Sequence, residues 1–251
     1  MSFSEVREYS PGDDIRHIDW NVTARTGQVQ VKVFEEEREL TLMLMVDISR
    51  SMQFGSDNRE KFLWIAEMAA VLASSATQNH DKVGLILFSD RIHLYIPPKK
   101  GKQHILRIIR ELLIRRSEAV QTDYQKPLQY LNSVQSKRCI AFLMSDFQQE
   151  LPETMVKIVA RKHDLIGIAL RDNLEREIPP AGLLLLKDME SGDEQLIDTS
   201  NRPWRMDFVR KQEQQMTKTK QTLLRARADF MELPPDDGYI KILLNFFKRR
   251  S

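Results

Sequence analysis

A single cysteine, Cys139, is all the thiol this chain of 251 residues carries, so an internal disulfide is excluded. It sits in the apolar stretch Cys139-Ile140-Ala141-Phe142-Leu143-Met144, which reads as a buried strand, and such thiol economy suits a reducing cytoplasm. No apolar run approaches the roughly 20 residues a helix needs to cross a bilayer, and the N-terminus lacks the charged-then-apolar pattern of a signal peptide. The start at Met1-Ser2-Phe3-Ser4 runs straight into a dense polar motif and reads as an internal or trimmed start. An excess of one charge is missing too. With 38 Lys and Arg against 36 Asp and Glu, the formal net charge is +2, and without a long basic stripe nucleic acid is not an expected partner. There is no internal repeat and no low-complexity linker.

The motifs of several enzyme classes are also absent. No GxSxG elbow marks a serine hydrolase, and no GxxxxGK loop marks a nucleotide-phosphate cradle. A zinc hydrolase needs clustered His or Cys ligands, whereas His17, His80, His93, His104 and His163 are scattered. What is present, 41% hydrophobic and 29% charged, is an ordinary globular composition, long enough for one large α/β domain and a small appendage.

Residues 28–34 alternate as a half-buried strand. Residues 38–47 form a second strand whose Leu42-Met43-Leu44-Met45-Val46 core does not alternate, as expected when both faces of a parallel sheet are covered. Residues 59–76 then carry Phe62, Ile65, Ala66, Ala69, Ala70, Leu72 and Ala73 at helical spacing. The alternation continues with strands at 83–88, 92–96, 138–145 and 164–170 and helices at 103–113, 127–134 and 152–162, the last with Pro152 in its first turn. A hairpin at 183–198, a long charged helix at 203–227, a strand at 229–233 and an amphipathic helix at 237–248 complete the chain. Strands alternating with helices imply crossover connections. The fold class expected is therefore α/β, a doubly wound, mostly parallel sheet with helices on both faces, preceded by a short N-terminal β segment. The division expected is residues 1–37 as an N-terminal segment and 38–251 as the α/β domain with its C-terminal helix.

Ligands of an open α/β sheet bind at the carboxyl ends of its strands, where the loops to the helices converge. Three segments bring oxygen-bearing side chains there. Asp47, Ser49 and Ser51 follow the most apolar strand; Thr122, followed by Asp123, precedes the helix at 127; Asp146 follows directly on Ser145. All are hard oxygen donors, the kind magnesium or manganese prefers and zinc does not. A carboxylate and two hydroxyls at alternate positions of a turning loop can aim three oxygens at one point. DxSxS by itself is a common pattern; its place at a strand end, with Thr122 and Asp146 at equivalent loop positions, is what makes it a metal site. The competing reading is that Asp47, Ser49 and Ser51 merely cap the following helix and Asp146 its own.

These residues and spacings resemble the metal-ion-dependent adhesion site of von Willebrand factor A domains. Asp47, Ser49, Ser51, Thr122 and Asp146 match its five positions, and the resemblance spans roughly residues 40–232, including Gly-Leu-Ile-Leu-Phe-Ser at 84–89. The N-terminal stretch Arg7-Glu8-Tyr9-Ser10-Pro11-Gly12-Asp13-Asp14-Ile15-Arg16-His17-Ile18-Asp19-Trp20, followed by Ala24-Arg25-Thr26-Gly27 and Val31-Lys32-Val33-Phe34-Glu35-Glu36-Glu37, is similar to the signature of the bacterial family called domain of unknown function fifty-eight. That resemblance implies an A-type domain directly after the signature, additional sequence upstream of it, often with membrane helices, and a gene commonly beside one for a MoxR-type AAA+ ATPase. It further implies Mg2+ (or Mn2+) at the five residues, bridging to a partner's carboxylate, and chaperone-like or complex-maturation work on a client the sequence does not name.

Two carboxylates, Asp47 and Asp146, just neutralise a divalent cation and leave a coordination position suited to an anionic group, which favours recognition over catalysis. The enzymatic alternative is a magnesium-dependent phosphoesterase or phosphotransferase using Asp47; such chemistry needs a second acid near the nucleophile, and Ser49 stands two residues on. Read without the family, 11–14 is a turn, Asp14, Arg16, Asp19 and Arg25 are placed for local ion pairs, and Trp20 is the segment's apolar anchor, a direct partner-binding role being the alternative. Residues 35–37 read as a solvated turn and 97–102 as an exposed loop. The helix ending at Lys248 is expected to pack its Phe246 side on the domain.

Overall fold

The computed structural model describes residues 2–35, 39–55, 60–117, 119, 121–187, 194–233 and 238–248. The chain divides into two compact units, Met1–Glu39 and Leu40–Ser251.

In the first unit, β1 (Ser2–Glu8) pairs antiparallel with β2 (Gln30–Glu35), and α1 (Trp20–Thr26) lies between them in sequence. Asp19 starts α1 by accepting the backbone N–H groups of Asn21 and Val22, and Gly27 ends it in the left-handed conformation, φ 73°, that a side chain would strain. The family signature thus spells out turns and caps. Asp13 accepts the Ser10 N–H at 2.8 Å and a two-pronged Arg7 guanidinium at 2.6 and 2.9 Å, and Asp14 pairs with Arg16 at 2.7 Å. Asp19 pairs with Lys32 at 3.3 Å, and Arg25 has no ion pair among the described residues. Trp20, expected as an apolar anchor, is 68% exposed and packs on nothing within its own unit. The less exposed residues of this short helix are Val22 and Thr23, and Trp20 stands at its first position, outside that pair. Of the acidic run at 35–37, residues 36–37 lie outside the described residues, and Glu35 is the last residue of β2.

The second unit is the doubly wound sheet expected. Its strands β3 (Thr41–Asp47), β4 (Lys82–Phe88), β5 (Ile92–Lys99), β6 (Ile140–Ser145) and β7 (Asp164–Leu170) are joined by α2 (Lys61–Gln78), α3 (Lys102–Ile114), α4 (Gln125–Val134) and α5 (Glu153–Lys162). The one-turn α6 (Asn173–Arg176) leads to a hairpin, β8 (Leu183–Lys187) and β9 (Glu194–Asp198). The long α7 (Arg202–Arg225), β10 (Asp229–Leu233) and α8 (Tyr239–Lys248) follow. The sheet order is β10-β7-β6-β3-β4-β5, parallel throughout except for β5, which runs antiparallel on the edge.

Leu42, Leu44 and Val46 of β3 face one apolar layer with Phe62, Ile65, Ala69 and Leu72 of α2 and Ile105, Ile108 and Leu112 of α3. Met43 and Met45 face the other, with Leu128 and Leu131 of α4, Val156 and Val159 of α5 and Leu223 of α7. That two-sided burial is why the sequence of β3 does not alternate; each such side chain removed from water contributes about 1.5–3 kcal/mol. Phe246 packs against the first layer, as the amphipathic pattern of α8 implies.

Two further expectations need correction. β5 runs on through Pro97 and Pro98 to Lys99, so half of the loop expected at 97–102 is strand. An edge strand tolerates proline because its outward N–H has no ladder partner to lose. The short helix α6 has no apolar periodicity to betray it; a capping box carries it, with the Asp172 side chain accepting from Leu174 N–H and the Glu175 side chain accepting from Asp172 N–H.

α7 packs closely over Gly167 of β7: a Cβ there would stand 2.5 Å from Leu223 Cδ1, itself fully buried. Gly167→Ala is expected to destabilise the domain by about 1–3 kcal/mol, read as a lower urea midpoint at unchanged slope. An unchanged midpoint would mean that α7 is free to shift away.

Candidate functional site

β3 is followed in sequence by β4 on one side of it, and the chain then crosses back to place β6 on the other. The strand order therefore reverses between β3 and β6, and the crevice outside their carboxyl ends is the natural ligand position of the fold. Asp47 is the last residue of β3 and Asp146 the first after β6. Both are buried, at 0% and 1% exposure.

Asp47 is the hub. Its Oδ1 accepts the Ser49 N–H at 2.8 Å, which bends the chain sharply after the strand. Its Oδ2 accepts the Ser145 hydroxyl at 2.6 Å and the Thr122 hydroxyl at 3.2 Å. Ser49 Oγ lies 3.2 Å from Ser51 Oγ. Four of the five expected residues are thereby brought together by direct contacts. Asp146 joins them through space, its charge raising the Asp47 pKa, while its own Oδ2 accepts the Lys61 ammonium at 2.7 Å.

Helix capping does not explain these side chains. Ser49 precedes a single 3-10 turn, Arg50–Gln53, and makes no side-chain cap hydrogen bond to it; Glu60 before α2 and Pro152 before α5 also make no side-chain cap. The oxygens are turned toward one another instead. The surrounding loops are tied by backbone hydrogen bonds, Ser117 N–H to Ile48 O at 3.1 Å, Arg50 N–H to Ala119 O at 3.0 Å and Asp123 N–H to Ser89 O at 3.0 Å. After Asp146 the buried Phe147 adopts φ 54°, a left-handed conformation unusual for a bulky residue, and is held there by stacking on Tyr124 with ring centres 5.5 Å apart. Tyr124 in turn places its hydroxyl 2.8 Å from Ser145 Oγ.

Sequence reasoning missed three participants. Lys61, 1% exposed, bridges Asp146 and Glu175 of α6, the latter at 2.5 Å. The signal was available: Lys61 sits one turn before Ile65 and two before Met68 on the buried face of α2. Ser145, the residue before Asp146, is the closest hydroxyl to Asp47. Glu175 lies outside any strand-end pattern and carried no sequence signal.

Burial pushes the Asp47 carboxyl up from 3.8 to about 6; the neighbouring charge of Asp146 adds to this, and the Ser145 and Ser49 hydrogen bonds oppose it. Burial also raises Glu175, against the pull of Lys61. For Lys61, burial alone would lower the ammonium pKa, but Asp146 and Glu175 more than reverse it and the net shift is upward.

Among the described residues no group of three or more His, Cys, Asp and Glu side chains is placed to hold a metal ion. The donor set here is of another kind, two carboxylates and three hydroxyls, all hard oxygens, with every hydrogen-bond donor to Asp47 neutral. A buried carboxylate made costlier to charge by a second acid nearby suits a cation.

Nearby, Ser89 Oγ lies 2.6 Å from His93 Nε2, and Asp90 Oδ1 is 3.8 Å from that same nitrogen. A hydrolytic triad requires the acid on the other ring nitrogen, and Ser89 is fully buried, so the contact is a structural one.

A mostly parallel sheet between two layers of helices, with hard-oxygen side chains gathered where its strand order reverses, is a doubly wound α/β domain, the fold class that the resemblance to von Willebrand factor A domains implies. The chain belongs to the family described as Protein of unknown function DUF58, whose pattern matches residues 5–218. "Uncharacterized protein Rv1480" of Mycobacterium tuberculosis is 28% identical over 98% of this chain and 78% of its own. Among solved structures, the conserved hypothetical protein BatB of Bacteroides thetaiotaomicron superposes with a TM-score of 0.52 at 12% identity, covering 84% of this chain and 98% of its own. An aerotolerance-related membrane protein of Bacteroides fragilis superposes with a TM-score of 0.50 at 13% identity, covering 82% and 97%. Identities this low establish a shared fold and nothing of function. Among the described residues no helix is long and apolar enough to cross a membrane.

A carboxyl whose pKa is raised in the fold binds its proton more tightly there than in the unfolded chain. In chelator, Asp47 should therefore make the protein less stable as pH rises from about 4 to about 6, with no further change above that. A carboxyl raised from 3.8 to about 6 sets the loss at no more than about 3 kcal/mol. Asp47→Asn is expected to melt higher than wild type at pH 7 in chelator and to lose that advantage near pH 4. A parallel pH dependence of the two proteins would show that Asp47 is not the group responsible.

Proposed function

We propose that this domain is a metal-dependent protein–protein interaction module. Mg2+ (or Mn2+) is held by Asp47, Ser49, Ser51, Thr122 and Asp146, and an acidic side chain of the partner completes its shell. The observation that carries this reading is the gathering of Ser49, Ser51 and Thr122, none of them capping a helix, around the buried carboxylate of Asp47, with the charge of Asp146 close by and every donor to Asp47 neutral. When bound, the metal supplies a positive point charge in a crevice that is otherwise acidic. Asp47 and Asp146 provide its charge balance; Ser49, Ser51 and Thr122 are neutral ligands that leave a net attraction for an incoming anion. In keeping with the family's signature, the partner we propose is a MoxR-type AAA+ ATPase, and the role a chaperone-like or complex-maturation one.

The domain is proposed to recognise and not to catalyse. Asp47 is fully buried with both oxygens engaged, a poor posture for a phosphoryl-accepting nucleophile, and it lacks a second acid two residues on.

Asp47→Asn should keep the fold and lose magnesium binding by calorimetry, and with it the magnesium-dependent capture of the ATPase. Without the cation a partner's acid meets a crevice in which Asp146 and Glu175 outnumber Lys61 and the net charge stays negative, so attraction turns to repulsion. Capture is compared for wild type and variant, each in magnesium and in chelator. Equal capture in all four samples would mean that the partner is recognised elsewhere, for which the 7–20 signature is the first candidate. Magnesium-dependent phosphoester turnover that disappears in Asp47→Asn would reverse the ranking in favour of an enzyme.

A further inference from the structure

Lys61 occupies a position that general physics disfavours twice. Its side chain is 1% exposed, and it is the first residue of α2, where the helix dipole presents its positive end. An ammonium there is tolerated only because two carboxylates meet it, Asp146 Oδ2 at 2.7 Å and Glu175 Oε1 at 2.5 Å. Neither is loosely held. Glu175 spends its other oxygen on the Asp172 N–H, 3.0 Å away, in the capping box of α6. Asp146 Oδ1 faces the Gln148 N–H at 3.4 Å. The ammonium is thus clamped from two segments, one of which is the metal site itself.

The charges are informative when counted together. Asp47, Asp146 and Glu175 carry three negative charges and Lys61 one positive, so the buried group presents the charge that one divalent cation neutralises. Without Lys61 the same crevice would hold an uncompensated acid more than the cation requires, and Asp146 would lose the contact that fixes its outer oxygen. We propose that Lys61 is a charge-setting residue of the metal site: its ammonium on Asp146, balanced by Glu175, keeps divalent binding weak enough to depend on the partner. This inference rests on the metal reading above.

Magnesium titrations by calorimetry of wild type, Lys61→Met, Glu175→Gln and the double variant test it, with melting curves in chelator and in magnesium alongside. Removing the ammonium leaves an extra negative charge, and Lys61→Met should bind magnesium about tenfold more tightly or better, melt lower in chelator and recover in magnesium. Glu175→Gln, which leaves Lys61 in place against one fewer acid, should bind about tenfold more weakly. The double variant should return to within about threefold of wild type, because the two changes cancel in charge. Should Lys61→Met fail to fold in chelator, Glu175→Gln and the double variant still decide the matter. Magnesium binding in the wild type with equal affinity in every folded variant, or weaker binding in folded Lys61→Met, overturns the inference alone. No binding in the wild type at millimolar magnesium overturns the metal reading and this inference with it.

Discussion

Two carboxylates buried side by side at the carboxyl edge of a parallel sheet dominate the physics of this domain. Asp47 and Asp146 sit at the ends of β3 and β6 because the strand order reverses between those strands, and the fold gives them no water to dilute their charge. The surroundings answer that constraint. Three neutral donors converge on Asp47, an ammonium is driven into the first turn of α2 to meet Asp146, and Glu175 is capped in place to balance that ammonium. Even the unusual backbone of Phe147 serves the arrangement, turning the chain away directly after Asp146 while its ring stacks on the tyrosine that touches Ser145.

The scaffold around this group is stiff for reasons unrelated to it. β3 is covered on both faces, with leucines and valine toward α2 and α3 and methionines toward α4, α5 and α7. Loops leaving such a strand start from fixed points, and the backbone hydrogen bonds among 48–50, 117–119 and 89–123 fix where they go. A site built this way is arranged before any ligand arrives, so little ordering entropy would be lost on binding. The family signature in the first unit belongs to a different kind of structure, a small hairpin and helix whose polar residues are largely consumed by turns, caps and exposed ion pairs.

What the sequence determined by itself was whatever depends on periodicity and on local backbone chemistry. The unbroken apolar run at 42–46 announced a doubly covered parallel strand, the three- and four-residue spacings placed the long helices, and 164–170 and 229–233 fell where the structure has β7 and β10. The oxygen-bearing residues were legible because strand ends are legible: Asp47 and Asp146 each terminate an apolar run. Tertiary structure alone decided what joins residues far apart in the chain. Nothing near Glu175 in sequence says that it meets Lys61, 114 residues away, and a lysine on an apolar helix face reads as an interruption until the acids that neutralise it are seen. Trp20 was misplaced for the same reason, since a large aromatic suggests burial, yet which side of a seven-residue helix faces inward is settled by the strands it packs on. Burial and charge pairing are properties of three-dimensional neighbourhoods, and a pattern of period two or 3.6 carries no information about neighbours brought in by another segment.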